Sequence, residues 1–308
     1  MVTQEHPTNP DQLHHTVARQ AVAWFAKHQR PLLWRQPGVT AWGVLVSEVM
    51  SQQTQVARVE PLWQEWMRRW PKPHHLAAAA TPEVLSLWGR LGYPRRALRL
   101  KECATVLANK YDDTVPADVE TLLTLPGIGD YTARAVCAFA YQQAVPVVDT
   151  NVRRVIARAI FGVAAAGNPK RRDLSDAQQL VDAYPSRGHE VCGALMEIGA
   201  LICTARQPHC DSCPLAQTCQ WVANGKPQLD QASEAAAKKR RQPSFFGTDR
   251  YVRGIIMAAL REHHPHGLSP ATIDTLWAQP AQLHSCVISL VEDGLAALDD
   301  KENLHLPA

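Results

Sequence analysis

A chain of 308 residues can hold one large domain or two modest ones, each with its own core. The polar stretch Met1 to Gln12 is no signal peptide and no apolar run reaches membrane-spanning length, so a cytosolic protein is expected, in which eight cysteines argue against disulfides. A net charge of +3 is weak evidence for a nucleic-acid partner, while the abundance of Ala, Leu and Arg and the scarcity of β-branched runs predict a nearly all-α fold.

Asp11 to Ala26 has the spacing of an amphipathic helix, with Val17, Ala21, Trp24 and Phe25 on one side. Pro31 to Arg35 leads out of it into a loop holding Pro37 and Gly38. The segment Trp42 to Val56 is apolar at Trp42, Val44, Leu45, Val46, Val49 and Met50, carries one charge, Glu48, and turns polar from Ser51 to Gln55. A lone carboxylate in an apolar helix is costly unless paired, hydrogen-bonded or protonated. Glu48 is therefore either a buried partner of an arginine or a group whose protonation is put to use. Leu62 to Trp70, Thr81 to Trp88 and Arg96 to Ala108 read as further helices, separated by Pro71-Lys72-Pro73 and by Leu91-Gly92-Tyr93-Pro94.

Leu122, Leu123 and Leu125 close a short apolar segment that Pro126-Gly127-Ile128-Gly129 breaks, and Ala133, Val136, Cys137 and Ala140 resume at helical spacing. This is helix, hairpin, helix. It is either an ordinary turn between core helices or a backbone grip on a phosphate, since the loop ends at a helix start with free N–H groups. Twenty residues after Gly129, Asp149 ends the apolar run Val145 to Val148, ahead of a helix carrying Asn151, Arg153 and Arg154. A carboxylate there is a helix cap, a reactive group, or both.

Helices continue over Val152 to Ile160, Ser175 to Ala183 and His189 to Ile202. Cys103, Cys137, Cys192 and Cys286 are scattered and read as small core residues. Cys203, Cys210, Cys213 and Cys219 differ: their C-x6-C-x2-C-x5-C spacing puts four thiols within seventeen residues. Either a four-thiolate zinc site or an iron–sulfur cube would satisfy them. Gly225 to Gly247 is a linker whose run Lys238-Lys239-Arg240-Arg241 is either solvated charge or a DNA-tracking patch. Helices then follow over Arg250 to Arg261, from Ser269-Pro270 to Trp277 and over Pro280 to Ala297, which suggests a small helical or winged-helix-like appendage. Residues 254–308 hold two Lys/Arg against seven Asp/Glu, so this tail is expected to pack or bind a partner and not to touch phosphate.

The hairpin Leu125–Gly129 and the segment Val148-Asp149-Thr150-Asn151-Val152 resemble those of the helix-hairpin-helix DNA glycosylases, the superfamily of endonuclease III. The ten residues Ser47 to Val56 (SEVMSQQTQV) are similar to the signature of its adenine glycosylase branch, and the cysteine spacing is similar to the [4Fe-4S] loop of both branches. The resemblance implies a helical barrel domain of about residues 40–150 and an iron–sulfur helical domain of residues 1–39 and 151–225, joined by the linker 226–247 to the appendage 248–308. It implies release of adenine from A:8-oxoguanine or A:G mispairs in double-stranded DNA, by a bacterial, nucleoid-associated monomer that lacks the larger NUDIX-like C-terminal domain of longer members.

The resemblance also assigns roles. Glu48 is the general acid and Asp149 the group that steadies the cationic sugar, with Asn151 beside it; Tyr131 stands where the endonuclease III branch carries an attacking lysine. Cys203, Cys210, Cys213 and Cys219 would hold the [4Fe-4S] cluster, and Arg206 in that loop would meet the phosphate backbone. Gln52, Gln53, Thr54, Leu91, Tyr93, Leu125, Gly127 and Gly129 would contact DNA, with Gln53, Leu91 and Tyr93 filling the gap left by the extruded base; an ordinary packed tyrosine is the other reading of Tyr93. Trp34 and Arg35 are placed in the substrate pocket. Pro94 departs from the family's Leu-Gly-Tyr-Tyr turn, and Gly38 to Ala41 from its usual run before the Glu48 helix. The alternatives are an endonuclease III-like enzyme, a T:G-mismatch glycosylase on the same fold, and a non-catalytic iron–sulfur protein that scans DNA.

Overall fold

The computed structural model of the protein describes residues 9–228 and 245–308. The basic run Lys238–Arg241 lies outside the described residues. Helices dominate: α1 (Pro10–His28), α2 (Ala41–Ser51), α3 (Val56–Arg69), α4 (Pro73–Ala78), α5 (Thr81–Trp88), α6 (Arg95–Tyr111), α7 (Val119–Leu123), α8 (Asp130–Tyr141), α9 (Thr150–Ala159), α10 (Arg172–Asp182), α11 (Gly188–Leu201), α12 (Gln220–Ala223), α13 (Asp249–Glu262), α14 (Pro270–Asp274) and α15 (Pro280–Glu292). Two short strands, β1 (Ala297–Leu298) and β2 (Leu304–His305), follow.

The chain forms two compact units. The first takes Met1–Val44, Ala117–Leu123 and Gly129–Arg240; the second takes Leu45–Pro116, Thr124–Ile128 and Arg241–Ala308. This division differs from the expected boundaries near 40 and 150, because α8 packs on α11 and buries Ala135 and Ala138 in the core of the first unit. The C-terminal segment groups with residues 45–116.

In the first unit, α1 starts at Pro10 with the Asn9 side chain accepting from the Asp11 N–H, and it buries Val17, Ala18, Ala21 and Val22. That stripe meets Val191, Cys192, Leu195 and Ile198 of α11, and α9 adds Val152, Val155 and Ile156. In the second unit, Trp66 sits edge-on to Trp70 and Trp88 at centroid separations of 4.7 and 5.5 Å, and α4 packs along α6. Pro73, read from sequence as part of a separator, instead starts α4 as its first residue. The expected segment Trp42 to Val56 is interrupted: α2 ends at Ser51, and Gln53 takes a left-handed conformation before α3 begins.

The appendage has three helices and a β-hairpin. Val252, Ile256, Met257 and Leu260 of α13 are buried, with Leu283, Cys286 and Leu290 of α15. The helix expected over Pro280 to Ala297 stops at Glu292, since Gly294 takes a positive φ and the chain turns into β1, antiparallel to β2. Leu304 also bridges to Leu268, so the hairpin is tied to the turn before α14.

Among the described residues, three charged residues of the first unit are buried, Arg158, Asp176 and Glu197, and Glu197 is the most deeply so. Glu197 on α11 is fully buried, and it accepts from the Arg30 backbone N–H at 2.9 Å, Arg30 Nε at 2.6 Å and Arg35 Nη2 at 3.1 Å. Burial alone would push this carboxyl up; the Arg30 hydrogen bonds and the Arg35 and Arg30 charges outweigh it and hold it below the usual carboxylate range. A carboxyl whose folded pKa is depressed adds stability above its unfolded pKa of about 4.3, and that contribution fades as pH falls through the folded value. Glu197→Gln should therefore be less stable than wild type at neutral pH, with the difference shrinking below about pH 4.3. Urea midpoints measured against pH check this; a difference that stays constant down to acid would contradict it.

Candidate active site and nucleic-acid interface

In the first unit, Val147 is buried and the chain then leaves the core at Asp149, the N-cap of α9, with an extended backbone. Both carboxylate oxygens are engaged. Oδ1 accepts from the Val152 N–H at 2.7 Å, and Oδ2 accepts from Asn151 Nδ2 at 2.7 Å. The helix start places the positive end of the backbone dipole against the same carboxylate. Asp149 is thus both a cap and a half-buried carboxylate fixed in one orientation.

Asn151 is held in turn. Its Oδ1 accepts from Arg154 Nη2 at 2.6 Å, and Arg154 also donates to the Gly199 carbonyl at 2.7 Å and, through Nε, to the Cys203 carbonyl at 2.6 Å. Burial pushes the Arg154 guanidinium down, with the Cys203 and Asp149 charges working the other way. Gly199 lets α11 come this close: a Cβ there would lie 2.6 Å from Asn151 Cβ. Sequence reasoning missed Arg154 and Gly199. The signal was a pair of arginines, Arg154 and Arg158, one turn apart on a helix that otherwise buries its face.

Arg158, 5% exposed, leads to the cysteines. Its Nη1 lies 3.3 Å from Cys203 Sγ, its other N–H groups donate to the Ala164, Thr204 and Ala205 carbonyls, and its guanidinium stacks 4.8 Å over Trp221. Cys203 follows α11, Cys210 opens a 3-10 turn, Cys213 ends it, and Cys219 caps α12. All four are free thiols close enough to act on one another electrostatically. Burial pushes Cys213 up to about 11 and Cys219 upward, opposed by the backbone N–H of Leu215 at Cys213 and those of Val222 and Trp221 at Cys219. Among the described residues no three His, Cys, Asp or Glu side chains are arranged to hold a single metal ion. Arg206 is exposed in the loop between Cys203 and Cys210.

Tyr131 lies in the first turn of α8 and packs against the core of the first unit. Trp34 is buried. Arg35, expected at a substrate pocket, gives its guanidinium to Glu197 and lies 5.2 Å over the Phe25 ring.

In the second unit, Glu48 is half-buried on α2, among the buried Leu45, Val49 and Met50. The turn after α2 and the turn before α6 are locked together. Gln53 and Tyr93 both take left-handed conformations, and the Tyr93 hydroxyl donates to Gln53 Oε1 at 2.9 Å. Thr54 Oγ1 donates to the Leu91 carbonyl at 3.1 Å. Arg96 ties both turns, donating to the Val49 and Gln52 carbonyls at 2.7 Å and to the Gly92 carbonyl at 3.0 Å. Burial pushes Arg96 down to about 10, and its guanidinium lies 5.1 Å over Trp88. Leu91 is 4% exposed and packed inside the unit, and its carbonyl accepts from Thr54 Oγ1.

The hairpin keeps Leu125 buried and turns at Gly127, φ +76°, where a Cβ would lie 2.7 Å from Arg99 Cβ. Pro126, Gly127 and Ile128 line a cavity of about 130 Å³ with Gln52, Arg95, Arg96 and Arg99. Arg99 pairs with Glu102 and Arg95 with Asp293, so the positive charge beside this turn is partly balanced by carboxylates. Gly129, the N-cap of α8, has open space where a Cβ would go.

Comparison with known proteins matches residues 46–174 to the family described as HhH-GPD superfamily base excision DNA repair protein. The adenine DNA glycosylase of Mycolicibacterium smegmatis is 50% identical over 275 residues, covering 89% of this chain and 90% of the relative. That of Mycobacterium tuberculosis H37Rv is 48% identical over 288 residues, covering 93% and 92%. Among solved structures, a thermostable thymine-DNA glycosylase superposes with a TM-score of 0.62 at 24% identity over 70% of this chain and 98% of its own; this likeness concerns the fold.

The contact between α9 and α11 gives a direct test. Gly199→Ala forces Asn151 away and should cost about 1–3 kcal/mol, read as a drop of several degrees in Tm. Gly129→Ala, where a Cβ meets nothing within 4 Å, should cost less than about 1 kcal/mol. Equal Tm values for the two variants would mean that the α9–α11 approach is not tight.

Proposed function

This chain belongs to the adenine DNA glycosylase family, and we propose that the adenine it removes is one mispaired with 8-oxoguanine or guanine in duplex DNA. The enzyme is a hydrolase of the N-glycosidic bond and acts in base excision repair. The observation that carries the mechanistic reading is the Asp149 carboxylate, held at the start of α9 by the Val152 N–H and the Asn151 amide.

The target base must leave the stack, at a cost that is smallest at a mispair. Gln53 and Tyr93 meet the base left behind, and the Pro126–Ile128 turn with Arg99 holds a phosphate. Adenine is a poor leaving group as an anion, so Glu48 gives its proton to a ring nitrogen as the bond to C1′ breaks and the electron pair passes to the base. The sugar is left as an oxocarbenium-like cation. Asp149 stabilises it electrostatically or by transient attack, and water then adds at C1′ and loses a proton. The proton restores Glu48, and the atoms balance as hydrolysis. Tyr131 offers no amine, so a Schiff base with the sugar and the strand cut that follows it are not expected.

The four cysteines fit a [4Fe-4S] cluster. A lone tetrahedral zinc needs its sulfurs about 3.8 Å apart, from Zn–S bonds of about 2.3 Å. Backbone N–H groups aimed at two of the sulfurs and the Arg158 guanidinium beside a third suit an anionic metal–sulfur centre. Cys203, Cys210, Cys213 and Cys219 would hold it, and it would supply structure and DNA positioning, not bond breaking. Anaerobically purified protein should contain close to equal iron and acid-labile sulfide, which Cys213→Ser reduces; bound zinc without sulfide would overturn the assignment.

Duplexes carrying A:8-oxoguanine, A:G, T:G and thymine glycol separate the readings. Adenine release is expected from the first two, strongest opposite 8-oxoguanine, with no strand cut. Glu48→Gln should slow it by about 10²-fold or more. Release from thymine glycol or T:G duplexes alone would favour the endonuclease III-like or mismatch-thymine reading, and release from none would favour a non-catalytic DNA-scanning protein.

A further inference from the structure

Arg250, in the first turn of α13, is clamped between two rings. Its guanidinium carbon lies 4.4 Å from the centre of Tyr93 and 5.2 Å from that of Phe245. None of the hydrogen bonds or ion pairs of the described residues uses its N–H groups, so the flat cation is held by its faces and its edge is left to donate. Phe245 and Phe246 are 53% and 69% exposed, and Tyr93 is 39% exposed. A group of exposed rings around an arginine is costly to leave in water and suits stacked bases.

The segment that presents Arg250 is tied down by side-chain hydrogen bonds. Thr248 Oγ1 donates to the Phe245 carbonyl at 2.7 Å and accepts from the Tyr251 N–H. Gln282 Nε2 donates to the Gly247 carbonyl at 2.9 Å and to Asp249 Oδ1 at 2.8 Å, while its Oε1 accepts from Trp277 Nε1 at 2.7 Å. The appendage is also fastened to the Tyr93 turn: Asp293 accepts from Arg95 Nη1 at 3.1 Å and pairs with Arg253 at 2.5 Å. The acidity of the tail, which argued against a DNA role, is spent partly in this docking. Arg250 itself precedes the acidic stretch counted from residue 254.

We propose that Arg250, stacked on Tyr93, reads the base opposite the excised adenine and favours a guanine-type purine there. This rests on the proposed adenine-release activity and on Tyr93 and Gln53 meeting that base. A guanidinium fork donates to the oxygen-bearing edge of guanine or 8-oxoguanine; a cytosine amino group in that place offers a donor and no acceptor. The appendage would thus complete the opposite-base surface by a single stacked cation.

The test compares wild type, Arg250→Ala and Arg250→Lys as full chains. Binding is measured to duplexes carrying a non-hydrolysable adenosine analogue opposite 8-oxoguanine, guanine or cytosine, and single-turnover adenine release is measured on the matching cleavable duplexes. Wild type should prefer the two guanine-type partners over cytosine. Arg250→Ala should lose about tenfold of that preference, with Tm unchanged. Arg250→Lys should keep overall DNA affinity within about twofold and still lose the preference, since the charge remains and the planar fork does not. Preference intact in both variants, or affinity lost equally on all three duplexes, would overturn the proposal. Wild type that releases adenine from no duplex would instead overturn the activity and the inference with it.

Discussion

The Asp149 carboxylate is the constraint on which the rest of the first unit depends. A carboxylate kept charged beside a developing cation must be held still, and its lone pairs must be satisfied without being neutralised. Two uncharged donors do this, the Val152 N–H and the Asn151 amide. The arginine stands one step back, bonded to Asn151 and not to Asp149. A cationic residue in the next layer fixes the amide, and the proposed role of Asp149 needs a carboxylate that is not neutralised by a direct ion pair.

Arg154 joins that carboxylate to the cysteine loop through the Gly199 and Cys203 carbonyls, and Arg158 continues the contact to the Cys203 sulfur. The loop that would hold the cluster therefore shares its framework with α9. In the second unit Arg96 has a comparable task, since one guanidinium bonds carbonyls from both turns that carry Gln53 and Tyr93. Burial of that charge is costly, and it is offset by carbonyl acceptors and by the Trp88 ring. In both places a largely buried arginine bonds backbone carbonyls and holds the local chain geometry.

The helices, the hairpin and the acid after Val148 were legible in the sequence because period, breakers and capping residues all act locally. Thr81 to Trp88 is found as read, since its Pro82 start and Gly89 stop are local signals. The burial of Leu91 was not legible, because a motif position says nothing of burial. The engagement of Arg35 with Glu197 could not be read, because its partner is 162 residues away. The same is true of Arg250 and Tyr93: a stack between residues this distant in sequence leaves no periodic trace. The tail's net charge could not show that Asp293 serves Arg95 and Arg253.

The central claim is that the charge of Asp149, not its capping of α9, drives adenine release. Asp149→Asn separates the two, since asparagine caps a helix about as well as aspartate and its carbonyl can still accept from the Val152 N–H. The decisive measurement is single-turnover release of adenine from an A:8-oxoguanine duplex by this variant, with Tm and duplex affinity measured on the same protein. Release slowed by about 10³-fold or more at nearly native Tm and affinity is the predicted result. Release at the native rate would contradict the account.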